Sequence, residues 1–234
     1  MTKAYRNIFF DLDDTLWDFT ANSRSVYHKL YDELGYDRYF ASFDRYIAIY
    51  EERNTQLWDE YGKGTISKDE LNVRRFTYPF EHEGIDGCRD LALRFMRSSL
   101  AMMPTMGGTV PGAHEVLGNL AGRYHLYILS NGFRELQSAK MRSARLDGYF
   151  DKVILSEDIM VHKPATALFH FALSATQSSA ADSLMVGDNI DTDICGAMDA
   201  GIDQVWFNRT GRDPGHLRPT HTITKLEDLL SILP

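Results

Sequence analysis

From about residue 110 onward, short apolar runs alternate with helical patterns, and this alternation constrains the fold more than any other feature of the chain. Runs at 124–129, 152–155, 184–186 and 204–207 are separated by segments such as 113–120 and 165–175, whose apolar residues follow a helical period. Strands that are apolar on both faces and joined through helices form a parallel sheet covered on both sides. The expected class is therefore α/β with a central parallel sheet. The run at 7–10 has the same character but no partner nearby in sequence, so it is expected to join the distant sheet.

Between that first run and the alternating region, residues from about 21 to 100 read as helical throughout. Val26, Leu30 and Leu34 recur every four residues, and Phe43, Ile47, Tyr50, Leu57 and Tyr61 fall on one helical face. Ser67-Lys68-Asp69-Glu70 fits a capping box, and Gly84 to Gly87 marks a break before the apolar period of 91–100. The chain of 234 residues is long enough for a core plus a smaller second unit. We expect a discontinuous core from 1–16 and 107–234, interrupted by an inserted helical unit at 17–106. The Gly- and Pro-rich segment from Met103 to Gly112 reads as the return linker, and as a hinge.

Composition removes several function classes. A net charge of −8 disfavours a broad footprint for a nucleic acid polymer or an anionic membrane. No apolar run approaches the roughly 20 residues needed to span a bilayer. Residues 1–7 are polar and lack the apolar stretch of a signal peptide, so a cytoplasmic protein is expected. Cys88 and Cys195 are far apart and form no metal-ligand spacing, which suits free thiols in a reducing compartment.

Open parallel sheets bind ligands at the carboxyl ends of their strands, so the residues that directly follow each apolar run carry the most information. After the first run comes Asp11-Leu12-Asp13-Asp14-Thr15; after 124–129 comes Ser130-Asn131-Gly132; Lys163-Pro164 precedes a helix; after 184–186 comes Gly187-Asp188-Asn189-Ile190-Asp191-Thr192-Asp193. Carboxylates gathered from two strand ends repel one another unless a cation lies between them. Hard oxygen donors of this kind suit Mg²⁺. A carboxylate can also act as a nucleophile through an aspartyl phosphate, and phosphoryl transfer draws on a cation, a lysine and hydroxyl or backbone donors around the phosphate oxygens.

These four segments resemble, in order and in kind, the motifs of the haloacid dehalogenase (HAD) superfamily phosphatases: D-x-D-x-T at Asp11 to Thr15, the second-motif serine at Ser130, the third-motif lysine at Lys163, and G-D-x-x-x-x-D from Gly187-Asp188 to Asp193. The resemblance implies a Rossmann-like core with an α-helical cap inserted after the first strand. It implies Asp11 as nucleophile and Asp13 as the acid that protonates the leaving oxygen and later activates water. Asp11, the backbone carbonyl of Asp13 and Asp188 are implied ligands of Mg²⁺. Ser130 and the backbone around Asn131 and Gly132 are implied to hold phosphoryl oxygens, and Lys163 to neutralise charge on nucleophile and phosphate. Asp193 is the implied outer acid, with Asp191 competing for that role. The cap is expected to close over the substrate on hinges near 15–20 and 103–111.

The flanking residues, Leu16-Trp17-Asp18-Phe19, Phe133 and the stretch from His162 to Phe169, resemble the pyrimidine 5′-nucleotidases. A small phosphorylated metabolite, in particular a nucleoside monophosphate, is the implied partner. Phosphatases of sugar phosphates or phosphoglycolate and phosphosugar mutases share the architecture. Dehalogenases lack an acid at the Asp13 position, and a retired, non-enzymatic fold would have a broken first or fourth motif.

Other residues carry weaker readings. Thr15 reads as a turn residue supporting the Asp11 loop, and Gly187 as a position where backbone comes close. Trp17, Phe19, Tyr46, Trp58, Tyr61 and Phe76 are candidates to stack on a base, although aromatics at helical spacing usually build cores. Trp17 and Phe19 are favoured because they follow the first motif. Arg53, Arg74 and Arg75 are candidate substrate contacts against the simpler reading of a solvated helix face, and His162 reads as structural.

Overall fold

The computed structural model describes residues 4–233, so part of the polar N-terminal segment considered above lies outside the described residues. In chain order the main elements are β1 (Asn7–Phe10), α1 (Phe19–Glu33), α2 (Phe43–Gly62), α3 (Lys68–His82), α4 (Arg89–Met102), α5 (Ala113–Leu120), β2 (His125–Ser130), α6 (Arg134–Ser143), β3 (Lys152–Leu155), α7 (Thr166–Thr176), β4 (Ser183–Gly187), α8 (Cys195–Asp199), β5 (Asp203–Phe207), β6 (His221–Ile223) and α9 (Leu229–Ile232). The chain divides into two compact units, one of residues up to Thr20 and from Met106 onward, the other Ala21–Thr105.

The first unit is built on six parallel strands in the order β3-β2-β1-β4-β5-β6. β1 pairs with β2 on one side and β4 on the other, with Phe10 opposite both Ile128 and Val186. Because strand side chains alternate between faces, Phe9, Tyr127, Leu129, Ile154 and Met185 share one side of the sheet, where they pack with Leu168, Phe169 and Ala172 of α7 and Ala197 of α8. Their neighbours Ile8, Phe10 and Ile128 point to the opposite side and are equally buried. Burial on both faces is what the unbroken apolar runs anticipate, and each large side chain so buried contributes roughly 1.5–3 kcal/mol. Chain order reverses beside β1, and such a switch point opens a crevice at the carboxyl ends of the strands.

The second unit is helical, as its periodicity predicts. Phe43, Ile47, Tyr50, Leu57 and Tyr61 of α2 are all buried, as are Val26 and Leu30 of α1. Its centre is a cluster of rings: Tyr36 lies 5.2 Å from Tyr46, 5.2 Å from Phe80 and 5.0 Å from Phe95, and Tyr27 lies 5.1 Å from Tyr50. Ser67 and Glu70 form the expected capping box at the start of α3.

The division between the units differs from the expected 17–106. Residues 17–20 and Met106 group with the sheet because they are fastened there: the Trp17 indole N–H donates to the Met106 carbonyl at 2.9 Å, Val110 N donates to Leu16 O at 2.9 Å, and Asp18 N donates to Gly108 O at 3.2 Å. The returning segment, read from sequence as a linker, and the outgoing segment, expected as a hinge, are thus bonded to each other.

Candidate active site

The ladder of β1 continues one residue beyond the strand, since Asp11 N donates to Val186 O at 2.9 Å. This fixes the Asp11 backbone at the carboxyl end of the sheet. The Lys163 ammonium meets its side chain there: Nζ donates to Asp11 Oδ1 at 2.6 Å and to the Leu129 carbonyl of β2 at 2.8 Å, and lies 2.6 Å from Asp193 Oδ1. Lys163 itself is held by Asn131, whose Oδ1 accepts from Lys163 N at 2.8 Å while Nδ2 donates to Lys163 O at 3.1 Å. The Asn131 side chain is therefore engaged in supporting the lysine loop.

After β4 the chain turns at Gly187. A β-carbon at that position would lie 2.4 Å from Asp193 Oδ2, so only glycine leaves room for the Asp193 carboxylate. Asp193 Oδ2 also accepts from Asn189 N at 3.1 Å, and the side chain is buried. Asp191 instead faces Arg212 at 2.9 Å on the surface. Of the two competing acids, Asp193 is the one beside Lys163. Asp188 is tied to the first motif through Thr15, whose hydroxyl donates to Asp188 Oδ1 at 3.1 Å and accepts from Asp188 N at 3.0 Å.

Ser130, at the end of β2, is buried, and its Oγ accepts from Gly132 N at 3.1 Å and from Gln137 Nε2 at 2.8 Å. With both lone pairs used, its own O–H is left to donate. Gln137 Nε2 also donates to Asp13 Oδ2 at 2.8 Å, and Lys140 Nζ donates to Asp13 Oδ1 at 2.7 Å. A β-carbon on Gly132 would come within 2.1 Å of Gln137 Nε2, so this glycine makes space for the glutamine. Asp11, Asp13, Ser130, Lys163, Asp188 and Asp193 thus meet at one end of the sheet, while Gln137 and Lys140 were missed from sequence. Both are buried, and nothing in the local sequence of α6 signals it.

The charges explain what such a site is suited to hold. Carboxylate oxygens of Asp11, Asp188 and Asp193 lie within 4.8 Å of one another. Burial, outweighing Lys163 and helped by the Asp193 charge, pushes Asp11 up to about 7. Burial with the charges of Asp11, Asp193 and Asp14 pushes Asp188 up to about 8, against the Thr15 hydrogen bond. Burial also works against the Lys163 charge, yet Asp11 and Asp193 more than offset it and hold the ammonium above the ordinary lysine range. Close carboxylates whose ionisation is suppressed by one another and by burial gain from a cation, and all-oxygen donors fit a hard divalent ion such as Mg²⁺.

Residues 5–201 match the family of haloacid dehalogenase-like hydrolases. This chain belongs to the haloacid dehalogenase-like hydrolases. It is 33% identical to the pyrimidine 5′-nucleotidase PynA of Streptococcus pneumoniae, over 98% of this chain and 95% of that one. It is 31% identical to the pyrimidine 5′-nucleotidase YjjG of Escherichia coli, over 97% and 96%. Among solved structures it resembles the HAD-hydrolase YfnB of Bacillus subtilis, crystallised with magnesium, with a TM-score of 0.87 and 29% identity over 99% of both chains.

The remaining candidates of this HAD hydrolase lie elsewhere or are committed to other work. Trp17 is wholly buried with its N–H bonded to Met106, so it has no face to offer a base. Tyr46, Tyr61 and Phe76 are buried in the helical unit, whereas Phe19 and Trp58 remain partly exposed. Arg53 and Arg74 line a cavity of about 690 Å³ on that unit, but Arg53 pairs with Glu60 at 2.8 Å and Arg74 with Glu70 at 2.7 Å. Arg75 is buried against Asn72. His162 is half-buried, and burial lowers its basicity. Both cysteines are free thiols, and no helix among the described residues is long and apolar enough to cross a membrane.

Proposed function

We propose that this hydrolase is a Mg²⁺-dependent phosphomonoesterase that works through a phosphorylated Asp11, with pyrimidine nucleoside 5′-monophosphates as substrates. The observation that carries the chemistry is the pairing of Asp11, held by Lys163, with a second carboxylate two residues on, Asp13, that is held separately by Lys140 and Gln137. Two carboxylates in different surroundings can take the two roles that phosphate ester hydrolysis requires.

An oxygen of Asp11 attacks phosphorus as the bond to the ester oxygen breaks; the leaving oxygen takes that electron pair and a proton from Asp13. Asp13, now a carboxylate, takes a proton from water, whose oxygen attacks the phosphorus and releases Asp11. The net change is ester plus water to alcohol plus phosphate, with Asp13 again protonated. Lys163 neutralises charge on Asp11 and the incoming phosphoryl group, and the Ser130 O–H donates to a phosphoryl oxygen. Asp193 keeps Lys163 aimed. Asp11, Asp188 and the main-chain carbonyl of Asp13 would hold Mg²⁺, which when bound supplies positive charge to the phosphoryl oxygens. The near full-length similarity to PynA and YjjG supports the pyrimidine nucleotide reading, and the free thiols suit a cytoplasmic site of action.

The test is phosphate release by the wild type and Asp11→Asn, with Mg²⁺ or chelator, across pyrimidine and purine monophosphates, sugar phosphates and phosphoglycolate. Metal-dependent release that is greatest on pyrimidine monophosphates and falls at least about 10⁴-fold in Asp11→Asn is expected. Wild-type turnover in Asp11→Asn would sink the mechanism. Preference for sugar phosphates or phosphoglycolate would retain the mechanism and overturn the substrate.

A further inference from the structure

Gln137 and Lys140 lie one turn apart on α6, and between them they take both oxygens of Asp13. Lys140 is an unusual cation. Only 5% of its side chain is exposed, its one carboxylate partner among the described residues is Asp13, and its ammonium otherwise lies against the faces of Trp17 at 4.7 Å and Phe19 at 5.3 Å. Buried charges are rare without a specific pairing, and the aromatic faces attract the ammonium without competing for its hydrogen bonds.

Gln137 is wholly buried, and its amide N–H group reaches Asp13 and Ser130 together, at 2.8 Å each. Its Oε1 is left with no hydrogen-bond partner among the described residues. The opposite orientation of the amide would put that oxygen against Asp13, whose carboxylate, when ionised, only accepts, so the ionised form dictates which way the amide faces. An orphaned buried oxygen is tolerated here in exchange for two aimed N–H bonds, and Gly132 lacks a β-carbon where that amide passes.

We propose that Lys140 and Gln137 are positioning residues for proton transfer: they fix the Asp13 carboxyl and stabilise the carboxylate that appears as its proton passes to the leaving oxygen. Gln137 adds a link to Ser130, so the proton donor and the phosphate-binding hydroxyl keep their spacing. The donors become stronger as Asp13 gains charge, which favours the transition state over the bound ester. The roles rest on the reading of Asp13 as acid and base given above.

The leaving group separates this role from a general structural one. Nucleoside alkoxide needs a proton to depart, whereas nitrophenolate does not. Wild type, Lys140→Met, Gln137→Met and Asp13→Asn are compared on uridine 5′-monophosphate and, by rapid mixing, on p-nitrophenyl phosphate. For the two α6 variants we expect kcat on uridine 5′-monophosphate to fall about 10²-fold with little change in KM. On p-nitrophenyl phosphate the first-turnover burst should keep its rate within a few-fold, while the steady state slows because water attack still needs the base. Burst amplitude counts folded sites, and Gln137→Met carries the test if Lys140→Met gives no burst. Equal losses in the burst rate and in turnover of uridine 5′-monophosphate, or no loss on the latter, would overturn the proposal. Asp13→Asn should repeat the leaving-group pattern. If it does and the α6 variants do not, the positioning role alone fails; if Asp13→Asn does not, the acid–base reading of Asp13 fails first.

Discussion

In the sheet unit, the buried charges are held by one another: Lys163 sits between Asp11 and Asp193, and Lys140 and Gln137 hold Asp13. In the helical unit, the buried hydroxyls of Tyr36 and Tyr46 and Nε of Arg75 have no hydrogen-bond partner among the described residues, and order comes from rings packed 5–6 Å apart. Ring packing tolerates an unpartnered hydroxyl because each aromatic contact contributes on its own, about 0.5–1.5 kcal/mol beyond burial. A cluster of charges does not, because removing one member leaves the others uncompensated in a low-dielectric setting. The sheet unit therefore gathers interdependent charges at the candidate site, and the helical unit rests on many independent ring contacts.

The largest effect should follow from breaking the charge cluster at its centre. Lys163→Met leaves Asp11 and Asp193 buried together without their shared cation. Turnover should fall at least about 10³-fold, and the sheet unit should lose on the order of 3–5 kcal/mol unless a carboxylate takes up a proton. Chemical denaturation followed by tryptophan fluorescence, alongside phosphate release, checks both. Turnover within tenfold of wild type would mean that Lys163 is an ordinary ion-pair residue.

A smaller effect, but one with a definite sign, concerns pH and metal. Asp11 at about 7 and Asp188 at about 8 both lie above their ordinary value of 3.8. The folded protein thus binds more protons than the unfolded chain between about pH 4 and 8, so stability falls as pH rises through that window and the loss is complete above it. Mg²⁺ should reverse much of the loss, raising Tm by about 5–10 °C at a hundredfold excess over Kd near pH 8 and much less at pH 5, where the carboxylates are protonated. Asp188→Asn should abolish most of the metal effect. A Mg²⁺ shift as large at pH 5 as at pH 8 would separate metal binding from these carboxylates.

The same contrast explains which parts were legible in the sequence. The strands announced themselves because parallel strands buried on both faces leave unbroken apolar runs; the strand-end motifs pointed to Asp11, Ser130 and Asp188, and the motif before a helix pointed to Lys163. Asp191 and Asp193 were indistinguishable because both are polar and two residues apart; the wide turn at Ile190–Ile194, capped by the Asn189 side chain, sends one inward and the other to Arg212. Trp17 misled because the residues after a catalytic loop are expected to face the site, whereas a bond to the returning segment at Met106 buries the ring. Gln137 and Lys140 escaped notice because a lone Gln and Lys on a polar helix suggest solvent. Their role depends on Asp13, more than a hundred residues away, and no local period records it.

The smallest predicted effect tests the tolerant side of the comparison. Tyr46→Phe removes a hydroxyl that has no partner and keeps the ring 5.2 Å from Tyr36, 5.1 Å from Phe40 and 5.5 Å from Phe95. Stability should be unchanged or rise by up to about 1 kcal/mol, because an unsatisfied buried polar group is lost and no bond with it. Tyr50→Phe keeps its ring contacts as well but removes the 3.0 Å bond between the Tyr27 and Tyr50 hydroxyls, leaving Tyr27 unpaired. It should cost about 1 kcal/mol, or roughly 2–4 °C in the melting of this chain. The two variants delete the same atom from neighbouring rings on one helix face, so any gap between them reports hydrogen bonding and not packing. Equal destabilisation would mean that the Tyr46 hydroxyl has a partner in solution, and that hydrogen bonds as well as ring packing order the helical unit.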